Sequence, residues 1–129
     1  MEHESPARAR KVLGRLPRPA AALRFAPAEA ILGDVELVQR LVSALSGRQA
    51  SDRSGPVPTA EDIAAALTLV EQVRHQVDQL EMGVVQKARL RQMGWPQIAA
   101  AQGHRSPQAA TQRYQRLTTR LAELRDGIR

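Results

Sequence analysis

The sequence predicts an all-α fold, and three observations carry that expectation. Apolar residues recur at three- and four-residue spacing through most of the chain, the period of one face of a helix. Aromatic residues make up only 2% of the 129 residues, so a core must be built from Ala, Val, Leu and Ile, which favours helices packed closely. One stretch repeats an apolar residue every seven positions for about three heptads. Together these give a helical bundle with a long, coiled-coil-like central helix and a pair of briefly connected helices at the C-terminal end. The chain divides by composition into residues 1 to 26, residues 27 to 58 with a first helix and a linker, and residues 59 to 129.

Residues 1 to 26 hold three prolines and six basic residues without a sustained period. They read as a disordered basic arm, in which Val12, Leu13 and Leu16 form at most one helical turn before Pro17 and Pro19. The first long helix opens at Pro27, with Glu29 in its first turn. Its apolar stripe runs Ile31, Val35, Val38, Val42 and Leu45 up to Gly47, widened by Leu32, Leu37 and Leu41. Gly33 costs it about 1 kcal/mol relative to Ala unless a partner packs closely there. Residues 46 to 58 are rich in Ser, Gly, Pro and charge and read as a linker, long enough for the first helix to be exchanged between protomers.

Thr59 and Asp62 form a capping-box start for the central helix. Ile63, Val70, Val77 and Val84 recur every seven residues, with Ala66, Val73 and Leu80 three after each of the first three. β-branched residues at the first of these positions favour a two-stranded parallel coil, so Ile63, Val70, Val73, Val77, Leu80 and Val84 are expected to line a dimer or bundle seam, and a homodimer is expected. Gly83 and the polar Lys87 mark its end. Glu71, Arg74, Asp78 and Glu81 read as a solvated face. From Gln86 the helix should pass Ala88 and Leu90 beneath Ile98 and Leu117, present Lys87, Arg89 and Arg91 to solvent, and stop at Met93 and Gly94.

The last stretch, WPQIAAAQGHRSPQAATQRYQRLTTRLAEL, begins with a short helix that Pro96 opens and Gly103 stops. Ser106 caps the next, with Pro107 at its first position and Ala110, Tyr114, Leu117, Leu121 and Leu124 on its apolar stripe. Ala99 and Gly103 supply the small side chain and the permissive turn that two closely crossing helices need. Two helices joined by a Gly-containing turn make the helix-turn-helix pattern. On the face away from the stripe lie Gln108, Thr111, Gln112 and Gln115, with Arg113 and Arg116 on its flanks. Gln108, Thr111 and Gln112 are the candidates for base edges; Lys87, Arg105, Ser106, Arg113 and Arg116 are the candidates for phosphate.

Charge points the same way. The net charge is +6, distributed as +4 over residues 1 to 26, −5 over 27 to 83 and +7 over 84 to 129, so the surplus sits on the segment with the helix pair. Such a surface attracts a polyanion through counterion release and steering. Arg outnumbers Lys seventeen to two, a bias that the Ala-rich composition ties to a GC-rich genome as much as to bidentate contacts.

Trp95, Ile98, Ala99, Gly103, Arg105, Ser106, Gln108, Ala109, Ala110, Arg113, Tyr114, Arg116 and Leu117 make this stretch resemble the helix-turn-helix DNA-binding family. More narrowly, it is similar to small actinobacterial-type regulators ending W-x-x-I/L-A-x-x-x-G-x-R-S-x-Q-A-A-x-x-R-Y-x-R-L. The resemblance covers about a quarter of the chain and implies sequence-selective binding of double-stranded DNA and transcription regulation. His104 departs from it, standing where an apolar residue is usual, and the turn is one residue longer than the commonest form.

Two other functions fit the composition: a nucleoid-associated protein that coats or bridges DNA with little sequence preference, and a helical adaptor for a protein partner such as a sigma or regulatory factor. No Gly-rich phosphate loop, nucleophile motif or paired metal-ligand spacing is found, so neither an enzyme nor a cofactor is expected. His104 suggests one titratable contact, to a phosphate when protonated, beside the plainer role of a turn residue. The lack of cysteine, of a signal-peptide core and of an apolar run of about 20 residues leads to an expectation of a cytoplasmic protein with no membrane partner.

Overall fold

The computed structural model describes residues 5–17, 26–46 and 57–126. These form five helices and, among the described residues, no strand: α1 (Pro6–Leu13), α2 (Ala26–Leu45), α3 (Ala60–Leu90), α4 (Trp95–Gln102) and α5 (Pro107–Arg125). The chain falls into two compact units, Phe25–Val77 and Asp78–Arg129 with Met1–Arg24, and the division lies inside α3. The long central helix is present. No helix is long and apolar enough to cross a membrane.

In the segment expected to be an arm without order, α1 forms two turns. Ser5 accepts a hydrogen bond from the Arg8 N–H at 3.2 Å and Pro6 pre-sets the first turn, the same Ser-Pro device that starts α5. None of its residues is buried, so local capping, not packing, accounts for this helix. Pro19 lies outside the described residues.

Helix α2 ends at Leu45, where Ser46 donates its hydroxyl to the Val42 carbonyl at 2.6 Å. Gly47, the expected stop, lies outside the described residues, as does most of the linker. The sheltered face of α2 is Ile31, Asp34, Val38 and Leu41, while Val35, Val42 and Leu45 remain exposed. The sheltered stripe is thus rotated from the expected one by part of a turn.

The capping box at the start of α3 forms as expected: the Thr59 N–H donates to Asp62 Oδ2 at 2.8 Å and the Asp62 N–H to Thr59 Oγ1 at 3.2 Å. Of the expected seam, Val70, Val73 and Leu80 are half-buried, and Ile63, Val77 and Val84 are exposed. The helix runs unbroken through Gln86 and ends at Leu90, short of the expected Met93. Its stop is not Gly94. The N–H of Met93 bonds back to the Ala88 carbonyl and that of Gln92 to Arg89, a Schellman ending that places Gln92 at φ 64°. Gly94 instead is the N-cap of α4, its N–H held by Gln97 Oε1 at 3.2 Å.

The core lies in Asp78–Arg129. Val85, Ile98, Ala99 and Ala110 are buried together, with Ala88, Trp95 and Tyr114 packed against them. Leu117 and Leu121 continue the buried face of α5, whereas Leu124 is half exposed. Leu90, expected beneath Ile98, is 76% exposed: it follows Val85 by five residues and so faces about 140° away, leaving Ala88 as the inward neighbour.

Gln92 carries a side chain in a conformation that costs L-residues about 1 kcal/mol or more. Gln92→Gly should therefore raise stability by about 0.5–1 kcal/mol in denaturant unfolding, against the loss of similar size that Gly causes inside a helix.

Candidate nucleic-acid interface

The geometry begins at the turn between α4 and α5. Gly103 adopts φ 80°, its N–H bonds to the Ala100 carbonyl, and the His104 N–H bonds to Ala99 at 2.8 Å, so α4 closes with a second Schellman motif. Gly takes that conformation without strain. Ser106 then accepts from the Ala109 N–H at 3.2 Å and Pro107 starts α5. Residues 103 to 106 therefore turn the chain. Ala99 and Ala110, both almost fully buried, let the two helices touch without a large side chain between them.

Trp95 belongs to this core and not to a surface. Its ring lies 5.9 Å from that of Tyr114, tilted by 51°, and the Arg89 guanidinium sits 5.0 Å over it. Arg89 also donates to the Met93 carbonyl at 3.0 Å, so this cation is engaged within the fold.

The orientation of α5 against α3 rests on two ion pairs absent from the sequence expectation. Arg113 grips Glu81 with two bonds, Nε to Oε2 at 2.5 Å and a terminal nitrogen to Oε1 at 2.8 Å, and Gln102 of α4 donates to the same carboxylate at 3.1 Å. Arg120 donates to Asp78 at 2.5 Å. Advancing along α3 from 78 to 81 corresponds to retreating along α5 from 120 to 113, so the two helices run antiparallel here. Asp78 is 8% exposed and Glu81 is half-buried, so neither belongs to a solvated face, in contrast to Glu71 and Arg74, which pair with each other in solvent. The hydrogen bond from Arg113 lowers the pKa of Glu81, against an opposing effect of burial, and the same bond raises that of Arg113.

Arg113, one of the expected phosphate candidates, is engaged within the chain: Glu81 holds its guanidinium through two bonds. The other candidates are placed as follows. Gln108 and Gln112 are exposed one turn apart on α5, opposite the buried Ala110, Leu117 and Leu121, and Gln115 and Arg116 continue the open face. Thr111 is half-buried and donates its hydroxyl to the Pro107 carbonyl at 3.1 Å, which leaves its methyl group and lone pairs for contacts. The Ser106 hydroxyl oxygen is the cap of α5. Lys87, Arg91, Arg105 and Arg116 are exposed and form no ion pair with a described residue. His104 is half-buried and its Nε2 is enclosed without a hydrogen-bond partner among the described residues.

Asp78 and Glu81 also reduce the local charge. Residues 84 to 129 alone carry +7, but over Asp78–Arg129 the balance is +5. What remains open to solvent is a polar Gln row edged by Arg105 and Arg116. Among the described residues no cluster of three or more His, Asp or Glu is placed to hold a metal ion. Compared with protein-family models, with curated proteins and with solved structures, the chain matches none.

The pairing has consequences for stability. Arg113→Ala should cost about 1–2 kcal/mol by leaving Glu81 without its partner, whereas Arg116→Ala should change stability by less than about 0.5 kcal/mol. Because Glu81 titrates lower in the folded chain than in the unfolded one, its contribution is complete above the ordinary value of 4.5 and is lost as pH falls through the lowered pKa. Glu81→Gln should therefore flatten the loss of stability below pH 4.5, measured by denaturant unfolding across that range.

Proposed function

We propose that this chain is a sequence-selective DNA-binding regulator of transcription, with α4 and α5 as a helix-turn-helix and α5 as the helix that enters the major groove. The observation that carries the reading is the exposed row of Gln108 and Gln112, one turn apart at the start of α5, directed away from the core and edged by Arg105 and Arg116. A recognition helix presents its first turns to base edges, which are the turns these residues occupy. Gln bonds bidentately to adenine N6 and N7, and the Thr111 methyl suits a thymine methyl. Arg105, Arg116 and Lys87 are assigned to phosphate. The Arg113 guanidinium acts within the protein, holding α5 against α3 so that the Gln row keeps its direction.

This assignment separates two kinds of loss. On a preferred duplex, Gln112→Ala should weaken binding by about 1–3 kcal/mol and have little effect on random-sequence DNA, while Arg116→Ala should weaken both alike and reduce the salt slope by about one. Fluorescence anisotropy titrations at several salt concentrations measure both quantities. Equal losses for the two variants on both DNAs would remove the division of roles.

A further inference from the structure

The two ion pairs between α5 and α3 are built unequally. In one, the Glu81 side chain is 20% exposed and that of Arg113 43%; in the other, Asp78 is 12% exposed and Arg120 54%. The acids lie inside and the cations outside. An anion arriving from solvent therefore meets the guanidinium before the carboxylate, and the nearer charge decides the sign of the interaction. Neither guanidinium is used up. Of the five N–H donors of each, Arg113 gives two to Glu81, through Nε and one terminal nitrogen, and Arg120 gives one to Asp78. The outer donors have no acceptor among the described residues.

The placement of these arginines on α5 is one-sided. At about 100° per residue, Arg116, Arg120 and Arg113 lie about 40°, 80° and 100° round from Gln112, all towards α3. The opposite flank, formed by Thr111, Gln115, Thr118 and Ala122, carries no charge. An open trough lined by Gln112, Arg116, Thr119 and Arg120 joins the Gln row to the arginine flank, and Glu123 closes it a turn beyond Arg120. A helix about 10–12 Å across fills a major groove about 12 Å wide, so its front faces base edges while its flanks face the phosphate walls.

We propose that Arg113 and Arg120, together with Arg116, form a phosphate-binding track on the α3 side of α5, with Glu81 and Asp78 behind them as positioning residues. This assignment rests on the DNA-binding reading of α5 and extends it to a second edge of the same site. Arg113 and Arg120 each use an inner edge for the carboxylate and an outer edge for a phosphate oxygen. Counted as charge, each pair sums to zero; in space, each presents a cation outward. The long side chain has already given up its rotamer freedom in the free protein, so its donors are aimed before DNA arrives. Lys could not serve both partners in this way, because its ammonium is a point charge without a rigid second edge.

Exchanging both members of a pair for amides tests the contact without changing net charge, so long-range steering is the same in variant and wild type. The probe is a random-sequence duplex of about 20 base pairs, titrated with the full chain at several salt concentrations. Glu81→Gln with Arg113→Gln, and separately Asp78→Asn with Arg120→Gln, should each reduce the steepness of log affinity against log salt by about 0.9, the value for one phosphate, and weaken binding several-fold. A pair that only fastens α5 to α3 would leave the steepness as it was. Helicity and Trp95 emission report whether each variant keeps its fold. The wild-type chain gives a second reading that no folding defect can imitate: with isotope-labelled arginine, the outer guanidinium protons of Arg113 and Arg120 should shift and exchange more slowly when the duplex is added. Binding with unchanged steepness in both double variants, or guanidinium signals that the duplex leaves unmoved, overturns the track and leaves DNA binding standing. A chain that binds no duplex even at low salt overturns the DNA reading and the track together.

Discussion

The close approach of α4 and α5 at Ala99 and Ala110 is the contact on which the C-terminal structure depends. With three aromatic residues in the whole chain, bulk cannot fill gaps, and packing must be achieved by bringing backbones together. Both alanines are almost completely buried, and Ile98, Val85, Trp95 and Tyr114 close around them. Gly103 is tied to the same constraint, because the αL position it occupies is what turns the chain so tightly and lets α5 return onto Ala99. A larger side chain at either alanine would push α5 outward and with it the Gln row.

The ion pairs from α5 to α3 solve a different problem. Small-residue contacts fix how near two helices lie but leave their rotation weakly determined. Arg113 on Glu81 and Arg120 on Asp78 pin α5 at two points about two turns apart, and Gln102 adds α4 to the first of them. Asp78 in particular is buried enough that losing its partner would leave an uncompensated charge. These two arginines are thus engaged within the fold, while Lys87, Arg91, Arg105 and Arg116 are exposed and form no ion pair with a described residue.

Much of the fold was legible in the sequence because local rules decide it. Thr59 with Asp62, Ser106 with Pro107, and Gly103 each have a well-defined use at a helix end, and each is found in that use. Ser5 with Pro6 carries the same signal, but the prolines that follow it suggest disorder and hide it. Gln92 is not foreseeable from propensity, since a Gly stands two residues further on and the αL position falls on neither Gly94 nor an Asn. The site is less legible for a non-local reason. A helical wheel of α5 puts Arg113 at the flank of the solvent face, and only the acidic pair on α3, 32 and 42 residues before its partners, shows where the guanidinium goes. A charge count over residues 84 to 129 begins just after those two acids and so overstates the surplus.

Whether the open face of α5 reads sequence is the central question, and selection from a random duplex pool by the purified chain at about 150 mM salt answers it most directly, because screening at that ionic strength removes weak phosphate contacts. Enrichment of one motif over successive rounds, with adenine or thymine at the positions facing Gln108 and Gln112, is the result this account predicts. Binding that enriches no motif, or no binding at all, would contradict it.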